Sequence, residues 1–219
     1  MSETTKERIE RVGLIPVLRA KSENQARAVV RAMIAGGVTV VEVTMTVPGA
    51  VDLIGVLKRE YPELLLGAGT VTTAKEVAAT IEAGAEFVVS PSLHAEVIAT
   101  THAFGKISIP GALTPTEAIT AWHGGADYVK IFPASAVGGA SYLKALLAPF
   151  PELKLIPTGG VTLQTAAGFL TAGAKALGVG SDLVNLAAID GGTPDVITDT
   201  AREYLRVIAE TREELRAGT

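Results

Sequence analysis

The stretch VTVVEVT at residues 38–44 decides the fold, because it is a nearly continuous apolar, β-branched run of strand length. Continuous hydrophobicity of this kind is typical of a parallel strand that is covered on both faces. The chain contains seven further runs of the same type. They are LIPVL (14–18), LLLGA (64–68), EFVVS (86–90), KISIP (106–110), DYVKIF (127–132), LKLIP (153–157) and KALGVG (175–180).

Helical segments lie between these predicted strands. Segments such as SENQARAVVRAMIAGG and TPTEAITAWHGGA open on a residue suited to an N-cap, keep helical spacing and close on glycine. Alternating strands and helices form either an open doubly wound sheet or a closed barrel, and eight strands favour the barrel. No G-x-G-x-x-G follows the first strand, which disfavours a dinucleotide-binding sheet. We predict an α/β fold, a (β/α)8 TIM barrel forming a single domain over residues 1–219, with a short N-terminal helix at about 2–12 and a C-terminal helix at about 194–216.

Composition limits the class of partner. The 219 residues carry a net charge of −4 with no cluster of Lys and Arg, so we expect neither nucleic acid nor a membrane surface as partner. No apolar run approaches the roughly 18 to 20 residues that a membrane helix needs. The chain lacks cysteine and begins with the polar stretch MSETTKERIERVG, where a secretory signal would be apolar. We therefore predict a cytoplasmic protein that acts on a small molecule.

Lys130 is the most informative charged residue, because it lies toward the carboxyl end of the buried run DYVKIF. With a period of two, it shares a face with Tyr128 and Phe132. Burial favours a neutral amine, which is the nucleophile that a ketone needs to form an iminium. The alternative is a structural lysine paired with a buried carboxylate.

Two further charged residues occupy comparable positions. Glu42, flanked by valines, is a candidate proton-transfer group, and a compatible alternative is that it forms an ion pair with Lys130 or Arg19. Arg19 ends the first strand, where its planar fork could hold a carboxylate, although a surface arginine is an equal alternative.

Two glycine-rich turns, PTGGVT (157–162) and GVGSDL (178–183), follow the seventh and eighth predicted strands. Barrel enzymes often bind phosphate at this place through backbone N–H groups. The predicted donors are Gly159, Gly160, Gly180 and Ser181. Each turn alone is a weak signal, since ordinary turns also use glycine.

Taken together, these residues and motifs resemble the KDPG aldolase family (2-keto-3-deoxy-6-phosphogluconate aldolase, which also acts on 4-hydroxy-2-oxoglutarate). The resemblance covers residues 13 to 209. Matching stretches, in order, are VVEVTMTVPGA, LLLGAGTVTT, AEFVVSP, IPGALTPTE, YVKIFPA, PTGGV and GVGSDL.

The resemblance implies a class I aldolase in which Lys130 forms the Schiff base and Glu42 transfers protons. It places Thr70, Pro91 and Phe132 in the substrate pocket, and Thr158 is predicted to join them. Gly159, Gly160 and Ser181 match the family's phosphate site. The resemblance further implies a homotrimer, a keto-acid phosphate substrate, no cofactor and no metal, and a place in the Entner–Doudoroff pathway of carbohydrate metabolism.

The chain departs from the family pattern at one position. Many members carry an arginine shortly after the glutamate, in E-V-T-L-R-T, where this chain has Thr46. Arg19 stands where the related phosphogalactonate aldolases carry an arginine. We therefore predict that Arg19, together with Thr70, binds the pyruvyl carboxylate.

Some alternatives remain open at this point. A phosphate-binding barrel without covalent chemistry, such as an epimerase or isomerase, would keep the glycine turns but would not need a buried lysine. A barrel that only binds a ligand or serves in an assembly would have no reason to keep Lys130, Glu42 and Thr70. The stereochemistry at C4 and the preferred aldehyde are also open. The three histidines, His94, His102 and His123, are predicted to be surface or packing residues without a carboxylate partner for a metal.

Overall fold

In the computed structural model, which describes residues 3–218, short parallel strands alternate with helices. The strands are β1 (Leu14–Leu18), β2 (Val40–Thr44), β3 (Leu65–Gly69), β4 (Phe87–Val89), β5 (Ile107–Ile109), β6 (Gly111–Ala112), β7 (Val129–Ile131), β8 (Leu155–Pro157) and β9 (Leu177–Val179). The helices are α1 (Thr5–Val12), α2 (Glu23–Ala35), α3 (Ala50–Glu60), α4 (Ala74–Glu82), α5 (Ala95–Ala103), α6 (Pro115–His123), α7 (Ala140–Leu147), α8 (Leu163–Thr171), α9 (Leu186–Asp190) and α10 (Asp195–Ala217), with a 3-10 helix at Ala134–Val137.

The strands form two parallel sheets, with the orders β5-β4-β3-β2-β1-β9 and β6-β7-β8. The predicted strand 106–110 is interrupted at Pro110, which has no N–H group to donate to a neighbour. The chain leaves the first sheet there and enters the second, and the Pro110 carbonyl accepts a hydrogen bond from Lys130 N at 2.8 Å. At the other end, an isolated bridge joins Thr158 to Gly178. The predicted α/β class is confirmed, with a parallel, curled sheet.

Helix α1 covers the N-terminal ends of the strands, and we call this end the floor. Glu10 Oε1 accepts hydrogen bonds from the hydroxyl of Tyr128 at 2.8 Å and from Lys154 Nζ at 2.9 Å. Burial by itself would raise the pKa of Glu10, but the hydrogen bonds from Lys154 and Tyr128 outweigh it and lower that pKa. Burial also raises the pKa of Tyr128, so its hydroxyl stays a donor. The floor is thus held by hydrogen bonds that involve a charged group.

The helix boundaries differ slightly from those expected. Helix α1 begins at Thr5 rather than at residue 2, because Thr4 and Glu7 form a capping box that ends the non-helical segment at Thr4. Ser2 lies outside the described residues. Helix α10 agrees with its predicted range to within one residue at each end. No helix between residues 3 and 218 is both long and apolar enough to cross a membrane.

The buried apolar side chains form one cluster between the sheets and the helices. All five residues of β1 are buried, and so are all five of β2 and of β3. Their continuous burial explains why the sequence shows unbroken apolar runs. Charged residues within this core are exceptions, and both of those in the strands belong to the site described below.

Candidate active site

Lys130 and Glu42 face each other inside the curled sheet. Lys130 lies on β7 and Glu42 on β2, and their Nζ and Oε1 atoms are 3.7 Å apart with side chains only 6% and 3% exposed. The separation is within ion-pair range but longer than a hydrogen bond. Within residues 3–218, Glu42 Oε1 has no hydrogen-bond partner. A carboxylate oxygen next to an amine, with its acceptor capacity unused, is well placed to receive a proton from a bound molecule.

Gly69 on β3 makes room for Glu42. In the register of β2 and β3, Glu42 pairs with Gly67 and Thr44 pairs with Gly69. A Cβ atom added to Gly69 would lie 1.9 Å from Glu42 Oε1, so the carboxylate occupies the space that a side chain there would fill. Sequence analysis quoted the GAG stretch only as a motif and missed this role.

The residues that share a face with Lys130 are arranged along the strand direction as the period of two predicts. Tyr128 reaches the floor, where it contacts Glu10. The ring of Phe132 lies toward the opposite end, with its centroid 5.3 Å from Lys130 Nζ. Phe132 thereby connects the buried pair with the cavity at the carboxyl ends of the strands.

A cavity of about 700 Å³ opens beyond Phe132. It brings together seven of the predicted site residues: Arg19, Phe132, Thr158, Gly159, Gly160, Gly180 and Ser181. Val17, Thr162, Asp182 and Asn185 also line it, and sequence analysis did not predict them. Asp182 stood in the quoted motif GVGSDL, so its position could have been recognised. Lys130, Glu42, Thr70 and Pro91 are not among the lining residues.

The glycine turns present backbone donors to this cavity. Gly159 and Gly160 have φ values of 85° and 77°, a region that favours glycine. A Cβ on Gly160 would lie 2.3 Å from the Cβ of Ser135, so a side chain there has no room. In the described part of the chain, the N–H groups of Gly160, Gly180 and Ser181 have no backbone or side-chain acceptor. Unpaired N–H groups in a concave turn favour an anion.

Thr70 and Pro91 adjoin strands next to the buried pair and do not line the cavity. Thr70 directly follows Gly69 and has a φ of 61°, which costs a residue with a side chain roughly 1 kcal/mol or more. A Cβ on Gly111 would lie 2.3 Å from the carbonyl carbon of Pro91, and Gly111 pairs with Lys130 in register. Thr70 therefore follows β3, the neighbour of the strand that carries Glu42. Pro91 contacts β6, the neighbour of the strand that carries Lys130.

Arg19 lines the cavity, whereas Thr70 does not. Its side chain is exposed and lines the cavity beside the glycine turns, and among the described residues no hydrogen bond or ion pair joins it to Thr70. Thr46, which replaces the family's arginine, forms a hydrogen bond of 2.7 Å with the hydroxyl of Thr44. Thr44 in turn donates to the carbonyl of Leu18 at 2.8 Å. These threonines fix the end of β1 from which Arg19 extends.

His102 has a carboxylate partner that sequence analysis did not predict. Its Nε2 lies 3.0 Å from Asp127 Oδ2, and Lys6 Nζ lies 2.6 Å from Asp127 Oδ1. Asp127 Oδ2 also accepts from the N–H of Ser108 at 2.8 Å, so Asp127 makes structural contacts here, and the absence of a carboxylate partner for a metal stays a prediction. In residues 3–218, no group of three or more His, Cys, Asp or Glu side chains could hold a metal.

Comparison with known proteins agrees with this geometry. The family model for KDPG and KHG aldolases matches residues 5–215. A 2-dehydro-3-deoxy-phosphogluconate aldolase from Pseudoalteromonas atlantica is 35% identical over 190 residues, covering 87% of this chain and 88% of the relative. A 2-dehydro-3-deoxy-6-phosphogalactonate aldolase from Escherichia coli is 38% identical over 172 residues, covering 78% of this chain and 83% of the relative.

A solved structure is also similar. It is the KDPG aldolase of Legionella pneumophila with pyruvate captured as a covalent carbinolamine intermediate, which superposes with a TM-score of 0.83 at 31% identity. The match covers 90% of this chain and 96% of that one. The chain belongs to the KDPG and KHG aldolase family.

Proposed function

We propose that this chain is a class I aldolase that cleaves 2-keto-3-deoxy-6-phosphogluconate to pyruvate and glyceraldehyde 3-phosphate. We propose 4-hydroxy-2-oxoglutarate, which would give pyruvate and glyoxylate, as a second substrate. The observation that carries the proposal is the buried pair of Lys130 and Glu42, 3.7 Å apart, next to a cavity with unpaired backbone N–H groups. The pair supplies a nucleophile and a base, and the turns supply an anion site.

In the proposed reaction, the neutral amine of Lys130 adds to the C2 ketone, and loss of water gives an iminium. Glu42 accepts the proton of the C4 hydroxyl, through a water if the distance requires one. The C3–C4 bond then breaks, its electron pair moves toward the iminium, and the aldehyde departs. Glu42 returns a proton to C3 of the remaining enamine, and hydrolysis releases pyruvate and restores Lys130.

The substrate's two ends are assigned to different groups. We propose that Gly159, Gly160, Gly180 and Ser181 bind the phosphoryl group, with Thr158 and Phe132 beside the carbon chain. Thr70 and Pro91 adjoin the strands of the buried pair and are proposed to contact the pyruvyl part. For Arg19, we keep the proposal that it binds the pyruvyl carboxylate with Thr70, although its exposed position in the cavity would also serve a phosphate.

Arg19→Ala tests this assignment. A hydrogen-bonded ion pair contributes about 1.5 to 3 kcal/mol, so we expect KM for the phosphorylated substrate to rise roughly 10- to 100-fold with a smaller change in kcat. The same variant should need more pyruvate for half-maximal trapping by borohydride, because pyruvate has the carboxylate but no phosphate. Arg202→Ala, which removes an exposed arginine paired with Asp199, is the control. An unchanged KM would refute a binding role, and a raised KM with unchanged pyruvate trapping would assign Arg19 to the phosphate.

Borohydride reduction in the presence of pyruvate, followed by intact mass and peptide mapping, tests the proposed function. The expected product is a reduced pyruvyl adduct on Lys130, with pyruvate release from the phosphorylated substrate in a coupled assay. No adduct, or one on a surface lysine, would contradict the aldolase and favour a phosphate-binding barrel without covalent chemistry. Assaying the gluconate- and galactonate-derived substrates in parallel would determine the preferred configuration at C4.

We also propose that the two sheets close into one (β/α)8 barrel that forms a single domain. The continuous chain at Pro110 and the Thr158–Gly178 bridge, one at each junction, support this closure. A homotrimer is proposed from the family resemblance. The cytoplasmic location stays a prediction.

A further inference from the structure

Asp182 lies at the edge of the cavity, directly after Ser181, and one of its carboxylate oxygens joins three parts of the chain. Oδ2 accepts a hydrogen bond from the hydroxyl of Tyr204 at 2.5 Å and one from Leu163 N at 3.3 Å. Tyr204 is fully buried on α10. Its hydroxyl also lies 3.5 Å from the carbonyl oxygen of Val161.

These contacts connect the two glycine turns with each other and with α10. Leu163 and Val161 adjoin the turn after β8, and Asp182 belongs to the turn after β9. Glycine-rich segments have the greatest backbone freedom in the unfolded chain and the least side-chain packing to restrict them. A hydrogen-bonded link from a buried tyrosine can therefore fix the spacing between the two sets of N–H donors.

The charge of Asp182 needs an explanation. A carboxylate beside a phosphate site repels the ligand, so its presence works against binding unless it serves another purpose. One such purpose is the capping of α8: Oδ2 accepts from the N–H of Leu163, the first residue of that helix, whose N-cap residue Thr162 makes no side-chain capping bond. The hydrogen bonds from Tyr204 and Leu163 hold Oδ2 and partly offset the charge.

We infer that Asp182 and Tyr204 are positioning residues that hold the two glycine turns at the spacing a phosphoryl group requires. This inference rests on the proposed function. The pair acts on the binding of phosphorylated substrates and leaves the chemistry at Lys130 unchanged. Burial, and next the bond to Asp182, raise the pKa of Tyr204, so its hydroxyl remains a donor at every pH at which the protein would work.

Tyr204→Phe removes only the hydroxyl and is the test variant. We expect KM for the phosphorylated substrate to rise about 10-fold, the effect of one hydrogen bond to a charged group, while kcat changes less than about 3-fold. KM for 4-hydroxy-2-oxoglutarate, which lacks the phosphate, should stay within about 2-fold of the unmodified enzyme's value.

Tyr128→Phe is the matched control. Tyr128 is also fully buried and also donates to a carboxylate, Glu10, but at the floor of the sheet. Tyr128→Phe also removes a tyrosine hydroxyl that donates to a carboxylate, so it should lower stability by a similar amount. It should leave KM for both substrates unchanged. An equal rise of KM for the two substrates, no rise for either, or the same rise in the control would overturn the inference.

Asp182→Ala changes an exposed residue and keeps the test usable if Tyr204→Phe does not fold. We expect it to raise KM for the phosphorylated substrate as well, and the double variant to be no worse than the weaker-binding single variant. Additive losses would contradict a shared role. Pyruvate trapping on Lys130 in the unmodified protein separates the two hypotheses: its failure would sink the proposed function, whereas its success with unchanged KM values in the variants would sink only the positioning role.

Discussion

Lys130→Met is expected to abolish the pyruvate adduct and to lower kcat/KM for the phosphorylated substrate by about 10⁴-fold or more, because it removes the only proposed nucleophile. Methionine is similar in length and apolar, so it can fill the space that the lysine occupies. Borohydride trapping and a coupled pyruvate assay measure the two effects. An adduct that persists in this variant would show that the reacting lysine lies elsewhere.

The same substitution also affects stability, and a second variant separates the two consequences. Glu42 is 3% exposed and would lose the partner that lies 3.7 Å from its Oε1, and removing one member of a buried pair typically costs about 3 to 5 kcal/mol. The double variant Lys130→Met with Glu42→Gln removes both members of the pair and should recover most of this loss in urea unfolding. It should stay inactive. If the double variant is stable but inactive, the fold does not need the pair and the reaction does.

Glu42→Gln is expected to lower kcat by roughly 10² to 10⁴-fold, the usual contribution of a general base. The pyruvate adduct should still form on Lys130, because the nucleophile remains. Glu86→Gln is the matched control: Glu86 is also an acid in a predicted strand, but it pairs with Lys106 at 2.7 Å. Loss of cleavage together with loss of trapping would mean that Glu42 is needed for iminium formation instead. Unchanged cleavage would remove Glu42 from the mechanism.

Much of the fold follows from local pattern. Strands buried on both faces are mostly apolar, which is why each of the eight runs overlaps a strand of the structure. The short strand β6 lies outside these runs. The apolar pattern of KISIP predicts one strand, whereas the structure breaks at its proline, Pro110. The period of two likewise placed Tyr128, Lys130 and Phe132 on one face, and this interpretation is confirmed by their contacts.

The remaining features depend on contacts between distant segments. Tyr204 lies 22 residues from Asp182, and His102 lies 25 residues from Asp127, so no local pattern connects them. The role of Gly69 is visible only once β2 and β3 are paired. The position of Arg19 in the cavity with the glycine turns also follows from strand geometry that its sequence neighbours do not determine.

The contrast between Gly69 and Gly180 bears on how this fold could evolve. At Gly69 any side chain would collide with the carboxylate of Glu42, so almost no substitution is tolerated at that position. At Gly180 an added Cβ atom meets nothing within 4 Å. Substitutions that change which aldehyde is bound can therefore accumulate in the cavity around Gly180. The site that binds the ketone half of the substrate stays under the steric constraint at Gly69. Related proteins could then bind new aldehydes while keeping the same Lys130 and Glu42 chemistry.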